Sequence, residues 1–363
     1  MKRRLVISRR SFLKATGGLA GVLAAGSAPP FIREAGASKR RKVTFALPWL
    51  LIGGHSFVFA AQQKYWKDRG LDVSVSRGFG SGDTCKKVAA GQFQFGEASY
   101  GPLVATAAAG GDIVGIGVKL QRTPMCVVCR SDKNIKTPKD IEGKRFALAP
   151  GSGSAQLLPA FFRAAGVNGD KVEKSAVGPA AKVPMLMGDK ADCVEIYYVS
   201  IAPLTRKMNP VIFLFADVGL KMLDLGLLTT SKMVRNEPQV CRDIAEGAME
   251  ALKLQILDPE AAINLMLQAR PELKASPRVN LVIDQGRTNY LSLDPIIVEK
   301  GLGYMREVNQ RETRENVLKY MGIKSAPPVE KLFTNRFVGS VKLTQGEYDR
   351  ASSMAQRFAP GAA

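Results

Sequence analysis

Residues 43–83 read VTFALPWLLIGGHSFVFAAQQKYWKDRGLDVSVSRGFGSGD. The run VTFALPW (43–49) is apolar and β-prone, and SFVFAAQQKYWKDRG (56–70) has helical spacing. LDVSVSR (71–77) alternates like a half-buried strand, and GFGSGD (78–83) leads into the next helix. Working outward, FQFGEA (93–98) predicts a strand, SYGPLVATAAAGG (99–111) a helix of small residues and DIVGIGVKL (112–120) another strand. Strand and helix in alternation at this spacing predict parallel pairing with crossover helices.

A second cycle follows. MCVVCRS (125–131), KRFALA (144–149), VEKSAVG (172–178) and DCVEIYY (192–198) read as strands, with TPKDIEG (137–143) a short capped helix. PGSGS (150–154) is a Gly-rich loop opening the helix AQLLPAFFRAAG (155–166). NPVIFLFADVG (209–219) and LGLLTTSKMV (225–234) read as β-like runs, and beyond Glu237 the pattern is almost wholly helical. No short-period repeat occurs. Near 120–125 and 217–225 the chain passes between β-like runs without a long helix. Two such passages predict two α/β lobes with a hinge: a leader over 1–37, lobe one over 38–122, lobe two over 123–216, and a return to lobe one with a helical segment over 217–363.

The chain has 363 residues and a formal charge of +20. The first 37 residues hold seven Lys or Arg and one Glu, leaving 45 basic and 31 acidic residues beyond them. No zinc-finger spacing, basic recognition helix or nucleic-acid module accompanies that charge, so nucleic acid is not an expected partner. The leader has a charged start, a modest apolar run and Ala35-Gly36-Ala37, with Ser8-Arg9-Arg10-Ser11-Phe12-Leu13-Lys14 resembling a twin-arginine export signal. Its apolar run is too short to span a bilayer. A periplasmic protein, cleaved near Ala37, is the expectation.

Five cysteines follow the leader, an odd number that cannot all pair within one chain. Cys126 and Cys129 form a C-x-x-C inside a strand, where positions three apart face opposite sides. With one histidine and no second C-x-x-C, neither metal nor another cofactor is expected. Which cysteines pair stays open. No G-x-S-x-G, H-E-x-x-H or credible triad order points to catalysis.

The candidate binding residues stand at strand ends. Gly80, Ser81 and Asp83 lie in one Gly-rich loop, Ser152 and Ser154 in the other, and each loop opens a helix whose backbone N–H groups are free. Trp49 and His55 follow the first strand, Ser99 and Tyr100 the third, and Asp217 lies near the second passage. Glu195 and Tyr197 share a face of DCVEIYY, opposite Tyr198. Aromatic groups can stack on a flat ring, and a carboxylate can accept from an amine or ring N–H.

The run 43–99, with its aromatic first strand, YWKDRGLDV, GFGS and VAAGQFQFGEAS, resembles the opening of solute-binding proteins of ABC importers. IKTPKDIEGKRFAL and MGDKADCVEIY extend that likeness to about residue 270. More narrowly, the chain resembles the nitrate, sulfonate, taurine and thiamine-pyrimidine-precursor branch, riboflavin binders included. It implies the type II periplasmic binding fold, a monomer, a small-molecule ligand held between lobes and an inner-membrane ABC permease as partner. It also implies ligand contacts at Trp49, His55, Gly80, Ser81, Ser99, Ser152 and Glu195, none catalytic. A flat nitrogen heterocycle is the expected ligand. The alternatives are a small anion such as a sulfonate, taurine or nitrate, and a pyrimidine-forming enzyme that sacrifices His55.

Overall fold

A computed structural model describes residues 40–220 and 222–359. The leader expected over 1–37 lies outside these residues. Among the described residues ten strands form two five-stranded sheets. In the first, β2 (Leu71–Ser76), β1 (Arg41–Ala46), β3 (Phe95–Ala98), β10 (Asp224–Thr229) and β4 (Val114–Leu120) lie side by side in that order. In the second the order is β7 (Glu173–Ala176), β6 (Arg145–Leu148), β8 (Cys193–Tyr197), β5 (Met125–Cys129) and β9 (Val211–Leu214). Each sheet has a parallel trio, β2-β1-β3 and β7-β6-β8, followed by antiparallel neighbours. The chain passes from the first sheet to the second between β4 and β5 and returns between β9 and β10.

Burial explains the sequence patterns. Edge strand β2 alternates buried and exposed, as LDVSVS suggests, whereas β4 and β5 are buried throughout and read as nearly continuous apolar runs. Edge strand β7, EKSA, is exposed along its length, and its charges discourage edge pairing. SKMV (231–234) belongs to the helix Ser231–Asn236 and not to a strand, because the Thr230 side chain caps it by accepting from Met233 N at 3.1 Å. Likewise the run at 209–219 ends as a strand at Leu214 and turns through a 3-10 segment, Phe215–Val218.

The helical region after Glu237 includes Pro238–Leu257, Arg278–Ser292, Glu307–Met321 and Gln345–Gln356. Ile244, Ala248, Met249 and Leu252 of the first of these pack with Val43, Phe45 and Trp66 in one core. The segment 56–68 is helical as read, but its centre, Ala61–Tyr65, is a π-turn. Just after it, buried Trp66 donates its indole N–H to Ile244 O at 3.0 Å. Cys129 and Cys193 face each other across β5 and β8 and form a disulfide, while Cys85, Cys126 and Cys241 are free and buried. Among the described residues no helix is long and apolar enough to cross a membrane.

Candidate functional site

The carboxyl ends of the parallel strands of both sheets converge on one cavity, the usual ligand position in open α/β sheets. Pro48, Trp49, Ile52 and His55 enter after β1, Ser81 after β2, Ser152 and Ser154 after β6, and Tyr197, Val199 and Ser200 at the end of β8. Lys182 and Leu225 complete the lining. The two Gly-rich loops meet beside it, with Gly82 N donating to Gly151 O at 3.2 Å. A Cβ on Gly80 would overlap the Gly151 carbonyl, and Gly80 has φ 130°, so glycine is required there twice over. The cavity is about 30 Å³. A water needs roughly 10–15 Å³, so the space as it stands is of water size rather than ring size.

One wall is apolar and aromatic, the other rich in hydroxyls. Behind the hydroxyl wall lies Glu195, fully buried. Its Oε1 accepts from Ala149 N at 2.8 Å and Lys182 Nζ at 2.8 Å, and its Oε2 from Ser152 Oγ at 3.0 Å and from Ser154 Oγ. Four protein donors thus engage the carboxylate that the sequence suggested for a ligand amine. Glu195 instead positions two serines and a lysine. Lys182 also donates to Glu195 O at 2.7 Å and stands 4.9 Å from the centre of the Trp49 ring. Burial lowers its pKa while Glu195 opposes the shift.

His55 is 1% exposed. Its Nδ1 lies 3.5 Å from Ile52 N, and its Nε2 lies 3.9 Å from a Glu97 carboxylate oxygen. Glu97 forms an ion pair with Lys119, and neither reaches solvent. The Lys119 ammonium also stands 5.0 Å from the centre of the Phe57 ring. Burial, and then the Lys119 charge, hold the imidazole well below its ordinary pKa, so His55 is neutral at pH 7. Burial raises Glu97 while Lys119 opposes it.

Asp224 joins the two passages between the sheets. It accepts from Thr123 Oγ1 at 2.9 Å and from Leu225 N at 2.7 Å, and burial pushes its carboxyl up to about 6. Leu225, which lines the cavity, has φ 41°. A left-handed leucine stores of the order of 1–3 kcal/mol of strain, and such strain collects at functional sites.

Of the residues singled out from sequence, Trp49, His55, Ser81, Ser152, Ser154 and Tyr197 line the cavity, and Gly80 sits in the adjoining loop contact. Buried Ser99 is behind the wall, its N–H donating to Ser81 Oγ at 3.1 Å. Three others are elsewhere. Tyr100 is core, its hydroxyl donating to Gly117 O at 2.7 Å and Leu227 O at 3.2 Å. Asp83 pairs with Lys87 one helical turn on at 2.8 Å, and Asp217 is exposed on the turn after β9. Sequence reading passed over Lys182, Glu97, Lys119 and Asp224. The available signal was a charge inside an apolar run, as in FGEA and VGIGVKL.

A family model described as NMT1/THI5 like matches residues 53–262, from the glycine pair before His55 into the helical region. The chain belongs to the NMT1/THI5-like family. A curated relative, the riboflavin-binding protein RibY of Chloroflexus aurantiacus, is 25% identical over 226 residues, covering 60% of this chain and 62% of RibY. The chain therefore spans about three fifths of that relative's length. The alkanesulfonate-binding protein SsuA of Xanthomonas axonopodis pv. citri, solved with MOPS bound, superposes with TM-score 0.62 at 15% identity over 80% of this chain and 96% of SsuA. The nitrate-binding protein NrtA of Synechocystis PCC 6803 gives TM-score 0.54 at 11% identity, over 89% of this chain and 99% of NrtA. These similarities establish for this NMT1/THI5-like chain the two-sheet periplasmic binding protein fold expected from the sequence.

Proposed function

We propose that this protein is an exported solute-binding protein whose two sheets form lobes that close on a small, neutral, flat heterocycle and present it to an ABC permease. The charge balance of the cavity carries the ligand assignment. Lys182 is matched by Glu195, Lys119 by Glu97, and His55 is neutral. A sulfonate or nitrate would bring a buried net negative charge that the ammonium lining the cavity, Lys182, already paired with Glu195, does not neutralise, which is unfavourable. A neutral ring meets Trp49 and Tyr197 for stacking and Ser81, Ser152, Ser154 and Ser200 for hydrogen bonds. The tightness of the cavity and the two passages between sheets support capture by opening and closing, driven by the ligand's preference for the closed form.

Thermal-shift and calorimetric titration with pyrimidines, flavins, ethanesulfonate, taurine and nitrate tests this. A bound heterocycle at 100 times its Kd should stabilise the fold by about 2.7 kcal/mol. Stabilisation by the anions alone would sink the heterocycle. His55→Ala should weaken the bound heterocycle at least tenfold, about 1.4 kcal/mol, and an unchanged Kd would take His55 out of the site. The intact mass should stay that of the unmodified chain after incubation with ligand. A loss of mass at His55 coupled to product release would replace binding with a sacrificial reaction.

A further inference from the structure

Lys182 carries more than the pairing of Glu195. The residue is 1% exposed, two of its three ammonium N–H groups are taken by Glu195, and it still borders the cavity against the Trp49 face. The Glu195 carboxylate does not line the cavity; it lies behind Ser152 and Ser154, which do, and is held there by their hydroxyls and Ala149 N. The pair is neutral as a whole but polarised, with its positive end toward the cavity. The helix Gly153–Ala164 adds to this, since Ser152 is its N-cap and its N-terminus faces the same way.

We propose that Lys182 sets the ligand specificity of the cavity: it takes a ring that turns a carbonyl or other lone-pair edge toward the Lys182 ammonium over Trp49, and it rejects cationic rings. This rests on the reading of the cavity as a solute site. A protonated or quaternised ring beside Trp49 would place two positive charges together in a poorly screened site. An oxo edge would supply the acceptor for the remaining N–H.

The chain contains two tryptophans, and Trp66 is fully buried, so ionic quenchers report on half-buried Trp49. Quenching of the unliganded protein by iodide and by caesium measures the potential at that ring. Because Lys182→Met alone leaves Glu195 buried and unpaired, the informative variant is Lys182→Met/Glu195→Gln. It keeps the net charge and removes the buried pair, a change proteins often tolerate. The iodide-to-caesium ratio of quenching constants should fall at least threefold in the double variant and hold in Lys182→Arg. An unchanged ratio in the double variant, or an equal fall in Lys182→Arg, overturns the proposal. A ligand panel without any binder would remove the solute reading and leave this ratio standing, so the two failures are distinguishable.

Discussion

Lys119→Met should lower the free energy of unfolding by about 3–5 kcal/mol, the usual loss when one partner of a buried ion pair is removed. Lys119 on β4 and Glu97 on β3 are 3% and 0% exposed and lie two strands apart, with β10 between them. Without the ammonium, Glu97 keeps its desolvation penalty, and the ion-pair contact that remains is His55 Nε2, 3.9 Å away. The carboxyl must then take up a proton, or His55 must, since the Lys119 charge that disfavours imidazolium is gone. Urea denaturation followed by circular dichroism measures the loss. The double variant Lys119→Met/Glu97→Leu removes both charges and should recover to within about 1 kcal/mol of wild type or exceed it. A single variant losing under about 1 kcal/mol, or a double variant no better than the single, would show that the pair does not determine the stability of this layer.

Why that pair was missed, while the strands carrying it were found, has a physical reason. Hydrophobic period and turn residues are local, so the elements of residues 43–120 and the two Gly-rich loops could be placed from the chain itself. Which charges meet depends on strand order. Here β10, about 130 residues after β3, inserts between β3 and β4 and completes the environment of Glu97 and Lys119. Lys182 is a similar case, because nothing in PAAKVPMLMGD signals an ammonium fixed by Glu195 on β8 and facing Trp49 from the other sheet. Asp217 and Tyr100 failed in the opposite direction. They lie near strand ends, but one points outward from a turn and the other satisfies two carbonyls in the core. Proximity to a strand end selected candidates, and side-chain direction decided among them. The π-turn at Ala61–Tyr65 was likewise invisible to a helical period, which a single wide turn hardly disturbs.

Gly53→Ala should destabilise the protein by about 3–5 kcal/mol, and Gly54→Ala by only about 1–2 kcal/mol. Chain entropy alone predicts the reverse sign, since replacing glycine with alanine at an ordinary φ usually stabilises by about 0.4–1 kcal/mol. Packing overrides it. The turn Gly53–His55 lies directly on the helix Arg278–Ser292, and a Cβ on Gly53 would overlap the Leu281 carbonyl. Leu281 lies in the first turn of that helix, where the contact is with backbone rather than with a side chain that could rotate away, so the helix end must move. That motion would strain Gln285 Nε2 to Ser56 Oγ at 2.8 Å and Gln255 Nε2 to Asn289 Oδ1 at 2.7 Å, a buried network joining this helix to the segment after His55. Gly54 differs in what it faces. Its Cβ would meet the Thr288 hydroxyl, which can rotate away at the loss of one hydrogen bond to Asp284 O, 2.8 Å long. The order of the two losses in denaturant melts is the test, and a Gly54 variant at least as damaged as the Gly53 variant would contradict it. The same geometry extends to the ligand. His55 is the next residue after the pair, so a Gly53 variant that still folds should bind the proposed heterocycle more weakly than the Gly54 variant does, through a displaced imidazole rather than a missing one.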